Sequence, residues 1–129
     1  MKNLDILNSA TALVLENTES IPDDYALRAP YLLAAFCSSA IRVESKYREA
    51  YKLDTTKFVS QATLSMSDDF PMMDLFITAA IYYLGAMLVL DENEAMSDRF
   101  FALYTDALAS IQSSLPAKIE RIRDKHKIN

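Results

Sequence analysis

One glycine and four prolines in 129 residues leave this chain nearly without the turn formers that a β-sandwich or barrel needs about every 8 to 12 residues. An all-β fold is therefore not expected. A single cysteine, Cys37, excludes an internal disulfide framework and a cysteine metal cluster, and fits an intracellular protein. The single histidine, His126, has Arg123 three residues before it, so no Glu-x-x-His pair exists and a ferritin-like di-metal site is excluded. Gly85 stands alone, without the neighbouring glycines of a phosphate-binding loop; in an apolar helix it reads as a point of close helix packing. No convergent set of nucleophile, acid and base is visible. The residues point to no catalytic group, no metal and no cofactor. Cys37, between Phe36 and Ser38 in an apolar run, reads as a small core residue. Asp68 and Asp69 are more simply explained by a helix start than by a cation.

What is abundant is Ala, Leu, Met and charge, which favours helix. The length suits one domain with one core. The expected fold is all-α: a single-domain helical bundle of four to five helices, with a central buried apolar helix and a long irregular loop. This body spans residues 1–116, and a basic C-terminal tail follows over residues 117–129.

The central helix is expected over residues 71–90, PMMDLFITAAIYYLGAMLVL. Between Asp74 and Asp91 it carries no charge, and apolar side chains fall on every side of a 3.6-residue period, so other helices should wrap it. Asp68, Asp69 and Pro71 suit its start, and Asp91, Glu92 and Asn93 its end. The uncharged span over residues 75–90 would cover about 24 Å, short of a hydrocarbon core of about 30 Å, and both flanks are acidic. A membrane span is not expected. The N-terminus lacks an apolar leader, so secretion is not expected either. Met72, Met73, Phe76, Tyr82, Tyr83 and Met87 fit a core better than a ligand pocket.

Around this centre, a first helix is expected over residues 4–16, with Asn3 as its cap and Leu4, Leu7, Thr11, Val14 and Leu15 as its inner face. Residues 17–22 have turn composition, and Asp23 or Asp24 suits the next cap. Pro30 predicts a short helix ending there, or a kink and restart. Residues 31–51 return to helical spacing, with Leu32, Phe36, Ala40, Val43 and Tyr47 on one stripe. Their second half, with Arg42, Glu44, Lys46, Arg48, Glu49 and Lys52, reads as a solvated, ion-paired end. Residues 53–67 break the pattern. Two readings stay open for them: a loop that meets a partner, or an excursion that packs Phe58 and Leu64 back on the bundle. Asn93 suits the cap of a last helix over residues 94–114, antiparallel to the central one, with Met96, Phe100, Leu103, Tyr104, Ala107, Leu108 and Ile111 as its apolar stripe. Beyond Pro116, Ile119 and Ile122 are spaced to tether the tail to the body or to a neighbour.

The net charge of −5 is unevenly placed. Residues 65–106 hold eight acidic side chains against Arg99 alone, whereas residues 118–129 hold Lys118, Arg121, Arg123, Lys125 and Lys127 against Glu120 and Asp124. An acidic body argues against broad nucleic-acid binding, which needs a clustered positive face. It suits electrostatic pairing between copies of the chain.

The order of segments resembles the small helical head-tail connector, or neck adaptor, proteins of tailed bacteriophages and prophages. The likeness is carried by the opening helix from Asn3 to Leu15, Tyr25 through Leu33, Tyr47 with Arg48, and Ser67-Asp68-Asp69-Phe70-Pro71. It continues through Tyr82-Tyr83-Leu84, Asp91-Glu92-Asn93-Glu94, Asp98-Arg99-Phe100 with Tyr104, and Pro116 with Ile119 and Ile122. These are packing and capping residues spread over most of the chain. At the tail the chain departs from the pattern: Asp124 is followed by Lys125 and His126, where such proteins place an aromatic and a glycine. The resemblance implies a virion structural protein that assembles as a ring beneath the portal, bridges capsid to tail, and passes DNA through its channel as cargo. The implied partners are the portal protein, neighbouring copies and other tail or neck proteins, with no membrane. The implied location is the virion neck, reached from the bacterial host cytoplasm. On this reading the partner contacts are expected at Arg121, Arg123, Lys125 and Lys127 in the tail and at Thr56, Phe58 and Thr63 in the loop. The alternative is a soluble cytoplasmic helical regulator or small-ligand binding module, its ligand beside Tyr82, Tyr83 and Met87.

Overall fold

The computed structural model describes residues 1–15, 20–56 and 58–115. It is all-helical: α1 (Asn3–Val14), α2 (Asp23–Ala50), a 3-10 turn (Asp74–Phe76) that runs into α3 (Ile77–Leu88), and α4 (Glu94–Ser113). Among the described residues there is no strand, and a lone antiparallel bridge joins Lys2 to Asp69. No described helix is long and apolar enough to cross a membrane.

α3 is the centre, as its all-round apolar sequence predicts, and it packs on α1, α2 and α4. Ala79, Ala80, Leu84, Gly85, Ala86 and Leu88 are buried. Small residues dominate the buried positions, which brings neighbouring helices close. A Cβ built on Gly85 would lie 3.4 Å from Val14 Cγ1 and 4.0 Å from Phe100 Cγ, so α1 and α4 both lean on this position.

The start of α3 differs from the expectation. Residues 71–73 are not helical, and Met73 is extended (φ −60°, ψ 149°) with its N–H donated to Glu44 Oε2 at 2.8 Å. A side chain from α2 thus sets where the helix begins, in place of Pro71. Asp68 and Asp69 do not start it either. The Asp68 carbonyl accepts from Asn3 N–H at 2.9 Å, and Asp69 pairs with the Lys2 ammonium at 3.2 Å.

These contacts also correct the start of α1. Asn3 lies inside the helix and is buried, its side-chain amide donating to the Ser65 carbonyl at 2.9 Å. The first backbone donors of α1 go to the loop, Asn3 N–H to Asp68 and Leu4 N–H to the Met66 carbonyl at 3.0 Å, so a capping side chain has little left to satisfy. The buried face is Asn3, Ile6, Leu7, Ala10, Thr11 and Val14, rotated from the expected one so that Leu4 is exposed.

α2 continues through Pro30 without a break. A proline inside a helix costs roughly 3 kcal/mol. Tyr25 and Ala29 before it, and Leu33 and Ala34 after it, are buried in the same core, so packing on both sides holds the helix together. The Pro30 carbonyl accepts from Leu64 N–H at 3.1 Å. Two residues upstream of the loop contact, α2 also caps α3: the Arg28 guanidinium donates to the Met87 carbonyl at 2.9 Å and the Leu88 carbonyl at 3.3 Å, at the negative end of the α3 dipole.

The charged half of α2 is solvated at Arg42, Lys46 and Glu49, as is Lys52 just past its end, but Glu44 is fully buried. Its Oε1 accepts from Thr56 Oγ1 and, at 3.3 Å, from Arg48 Nε, while Oε2 takes the Met73 N–H. Burial without these partners would cost several kcal/mol. The carboxylate thereby fastens both the outgoing and the returning end of the 51–73 connection to α2. That connection packs inward, with Phe58 and Leu64 buried. The reading in which the loop folds back on the bundle is the one observed.

α4 is capped as expected, with Asn93 Oδ1 accepting from Met96 N–H at 3.0 Å. It runs antiparallel to α3: Ser97 Oγ donates to the Ala86 carbonyl at 2.8 Å, Phe100 stacks on Tyr82 at 6.2 Å, and Tyr104 meets Tyr83 at 5.2 Å. Only Ser97 and Phe100 of this helix are buried, and Leu103, expected on the inner stripe, is exposed.

Two substitutions test this packing. Glu44→Ala should lower the unfolding free energy in urea by about 2–4 kcal/mol, because the Met73 N–H and Thr56 hydroxyl lose their buried acceptor. Gly85→Ala should be neutral or stabilising by up to about 1 kcal/mol, its Cβ fitting at van der Waals distance while the helix gains propensity. Gly85→Leu should destabilise by about 1–3 kcal/mol through overpacking against Val14 and Phe100.

Candidate interaction surface

Of the loop residues expected to meet a partner, two face inward. Thr56 is half-buried with its hydroxyl on Glu44, and Phe58 is buried, its N–H 3.4 Å from Thr56 Oγ1. Thr63 is exposed. The neighbouring Val59, which the sequence did not single out, is 72% exposed. The tail residues Arg121, Arg123, Lys125 and Lys127 lie outside the described residues, as do Pro116, Ile119, Ile122 and His126.

The acidic residues of the body stand on the surface. Asp68, Asp69, Asp74, Asp91, Glu92, Glu94, Asp98 and Asp106 are all exposed, and so is Arg99. Charge therefore concentrates around the turn into α4 and along that helix. Glu92 also accepts from the Tyr25 hydroxyl at 3.2 Å, and burial together with this carboxylate pushes the Tyr25 phenol up to about 12.

Large apolar side chains interrupt this polar surface at several places. Phe101 and Leu103 are exposed on α4, and Leu90 precedes its acidic start. Leu27 and Tyr31, one turn apart on α2, are 71% and 59% exposed and line an open groove of about 320 Å³ with Arg28 and Leu32. The sequence signal for this groove was faint. It consists of two apolar residues at i, i+4 spacing that fall off the stripe through Tyr25, Ala29 and Leu33.

Tyr82, Tyr83 and Met87, the residues of the ligand-pocket reading, are half-buried. Tyr82 stacks on Phe100, and Tyr83 sits between Phe36 at 5.8 Å and Tyr104 at 5.2 Å. Burial raises the phenol pKa of both Tyr83 and Tyr104, with repulsion from Tyr104 adding to the effect at Tyr83. These rings pack on one another as core.

Cys37 is buried against the same cluster. Burial first, and then the negative Glu44, push its thiol up to about 12, so the nucleophilic thiolate is scarce near neutral pH. Among the described residues no three His, Cys, Asp or Glu side chains converge as a metal site. Comparison with known protein families, with curated proteins and with solved structures finds no match.

The chemistry of Cys37 gives a direct check. Folded protein at neutral pH should resist alkylation by iodoacetamide or reaction with a thiol-reactive dye, while urea-unfolded protein should react with one equivalent. Fast stoichiometric reaction of the folded form would contradict the placement of this residue.

Proposed function

We propose that the chain is a structural component of a tailed-phage or prophage virion, joining the capsid portal to the tail through ring assembly in the neck, with DNA passing through the channel. The observation that carries this reading is the charge layout. The helical body exposes Asp91, Glu92, Glu94, Asp98 and Asp106 in the turn into α4 and along that helix, while the 117–129 segment holds Lys118, Arg121, Arg123, Lys125 and Lys127 against Glu120 and Asp124. Acidic walls repel a passing polyphosphate and let it slide, whereas an acidic helix and a basic terminal segment on one chain suit repeated contact between subunits.

The resemblance to neck adaptors noted above points the same way, and the residues that carry it cap and pack this bundle. Asn93 caps α4, Phe70 and Phe100 are core, and Tyr82, Tyr83 and Tyr104 form its aromatic contacts. Exposed apolar residues on α2, α4 and the loop supply surface for several neighbours at once, as a bridge between portal and tail requires. The body requires no catalytic step for this role.

The test is binding to the portal protein encoded in the same genome. Light scattering of the mixed proteins should reveal a complex of higher mass than either alone, with a ring of this chain on one end of the portal in electron micrographs. Two independent species at all concentrations, especially with a small molecule co-purified on this chain, would overturn the assignment and favour the binding-module reading.

A further inference from the structure

We propose that the flank of α4 bearing Glu94, Asp98 and Phe101 is the docking site for the basic 117–129 tail of a second copy of the chain. The three positions stand at i, i+4 and i+7 and so share one stripe of the helix. All three are exposed, and Phe101 is 48% exposed, an aromatic ring left open beside two carboxylates. It meets Tyr104 at a tilt, ring centroids 5.4 Å apart and planes at 53°, which restricts the ring and leaves its other face open.

The tail matches this surface in both chemistry and spacing. It carries five basic residues against two acidic ones, and Ile119 and Ile122 supply apolar side chains three residues apart. Arg121 and Arg123 flank Ile122, which places a guanidinium within reach of both a carboxylate and the Phe101 face when the isoleucine seats beside the ring. Elsewhere in the acidic stretch of residues 65–106 the exposed large apolar residues are Leu90 and Leu103, which offer no ring.

Reach favours a neighbour's tail over the chain's own. Phe101 lies 13 helical residues before Ser114, about 20 Å along the axis. The Ser114 carbonyl is tied to the Tyr51 hydroxyl at 2.9 Å, which fixes the point of departure at the far end of the bundle. Ile119 follows five residues later and, even fully extended, reaches about 17 Å. A tail doubling back on its own α4 would have to run almost fully extended from Ser114 to bring Ile119 beside Phe101, whereas the tail of a neighbour meets the stripe without that constraint. Each copy then gives a tail and receives one, a head-to-tail contact that closes into a ring or continues as a filament. The proposal rests on the assembly reading above for closure into a ring, and on charge and reach for the contact itself.

The experiment uses full-length protein without portal, so its outcome is separate from the portal test. One variant disables the acceptor (Glu94→Lys, Asp98→Lys, Phe101→Asp) and another the donor (Arg121→Glu, Arg123→Glu). Folding of each is verified by circular dichroism, and Phe101→Ser serves as a milder acceptor variant. The wild-type mass should rise above the monomer value of 14.5 kDa with concentration at low salt and fall back in about 0.5 M salt. Each variant alone should stay monomeric, Phe101→Ser should weaken association about tenfold, and an equimolar mixture of the two disabled variants should restore a one-to-one pair. A wild type that stays monomeric across the low-salt series, or two folded variants that fail to pair when mixed, would overturn the proposal. Loss of portal binding with tail pairing intact would sink the virion assignment and leave this contact standing.

Discussion

One buried carboxylate holds this fold in register. Glu44 sits on α2 with no solvent exposure, and its two oxygens accept from Thr56, Arg48 and the backbone of Met73. Arg48 lies one turn along α2, and Thr56 and Met73 come from the two ends of the connection between α2 and α3. An acceptor-only group with low-dielectric surroundings demands such donors, and demands them in fixed places. The consequence is a chain that leaves α2, folds over the core with Phe58 and Leu64 turned inward, and delivers Met73 to the start of the α3 segment. The same connection supplies the Asp68 and Met66 carbonyls that take the first donors of α1. Loop, α1 and α3 are thus positioned by one side chain and the hydrogen bonds downstream of it.

Local physics was legible in the sequence, and tertiary physics was not. The cap at Asn93 and the antiparallel α3–α4 pair follow from residue type and short connection, and the structure has them. The all-round apolar pattern of residues 75–90 announced a central helix, because nothing polar marks an outer face. Pro30 was expected to follow a short helix and to mark a kink or restart, yet one helix runs through it, since its penalty is outweighed by core residues before and after it, a sum no local window contains. Asn3 had the composition of a cap, but its role passed to the carbonyls of a loop more than sixty residues away. Glu44 had the composition of a solvated helix end, and only the arrival of Thr56 and Met73 makes its burial tolerable.

The surface sorts into the same two kinds. That Asp91, Glu94 and Asp98 would be exposed follows from their charge. That Phe58 turns in while Val59 turns out, or that Leu103 is uncovered while Phe100 is buried, depends on how the elements meet. An assembly role draws on these uncovered positions, and a rigid body makes them useful: the aromatic contacts of Phe36, Tyr83 and Tyr104 join α2, α3 and α4 into one block against which exposed side chains are held. Ordered apolar residues among like charges favour contact with an oppositely charged partner over indiscriminate collapse.

The claim that Glu44 organises the loop has a signature at one amide. Hydrogen exchange resolved at single residues should find the Met73 N–H protected nearly as well as amides within α3, since releasing it means opening the buried carboxylate node and the loop with it. Exchange of Met73 at the rate of an open loop amide, with α3 fully protected, would contradict the account.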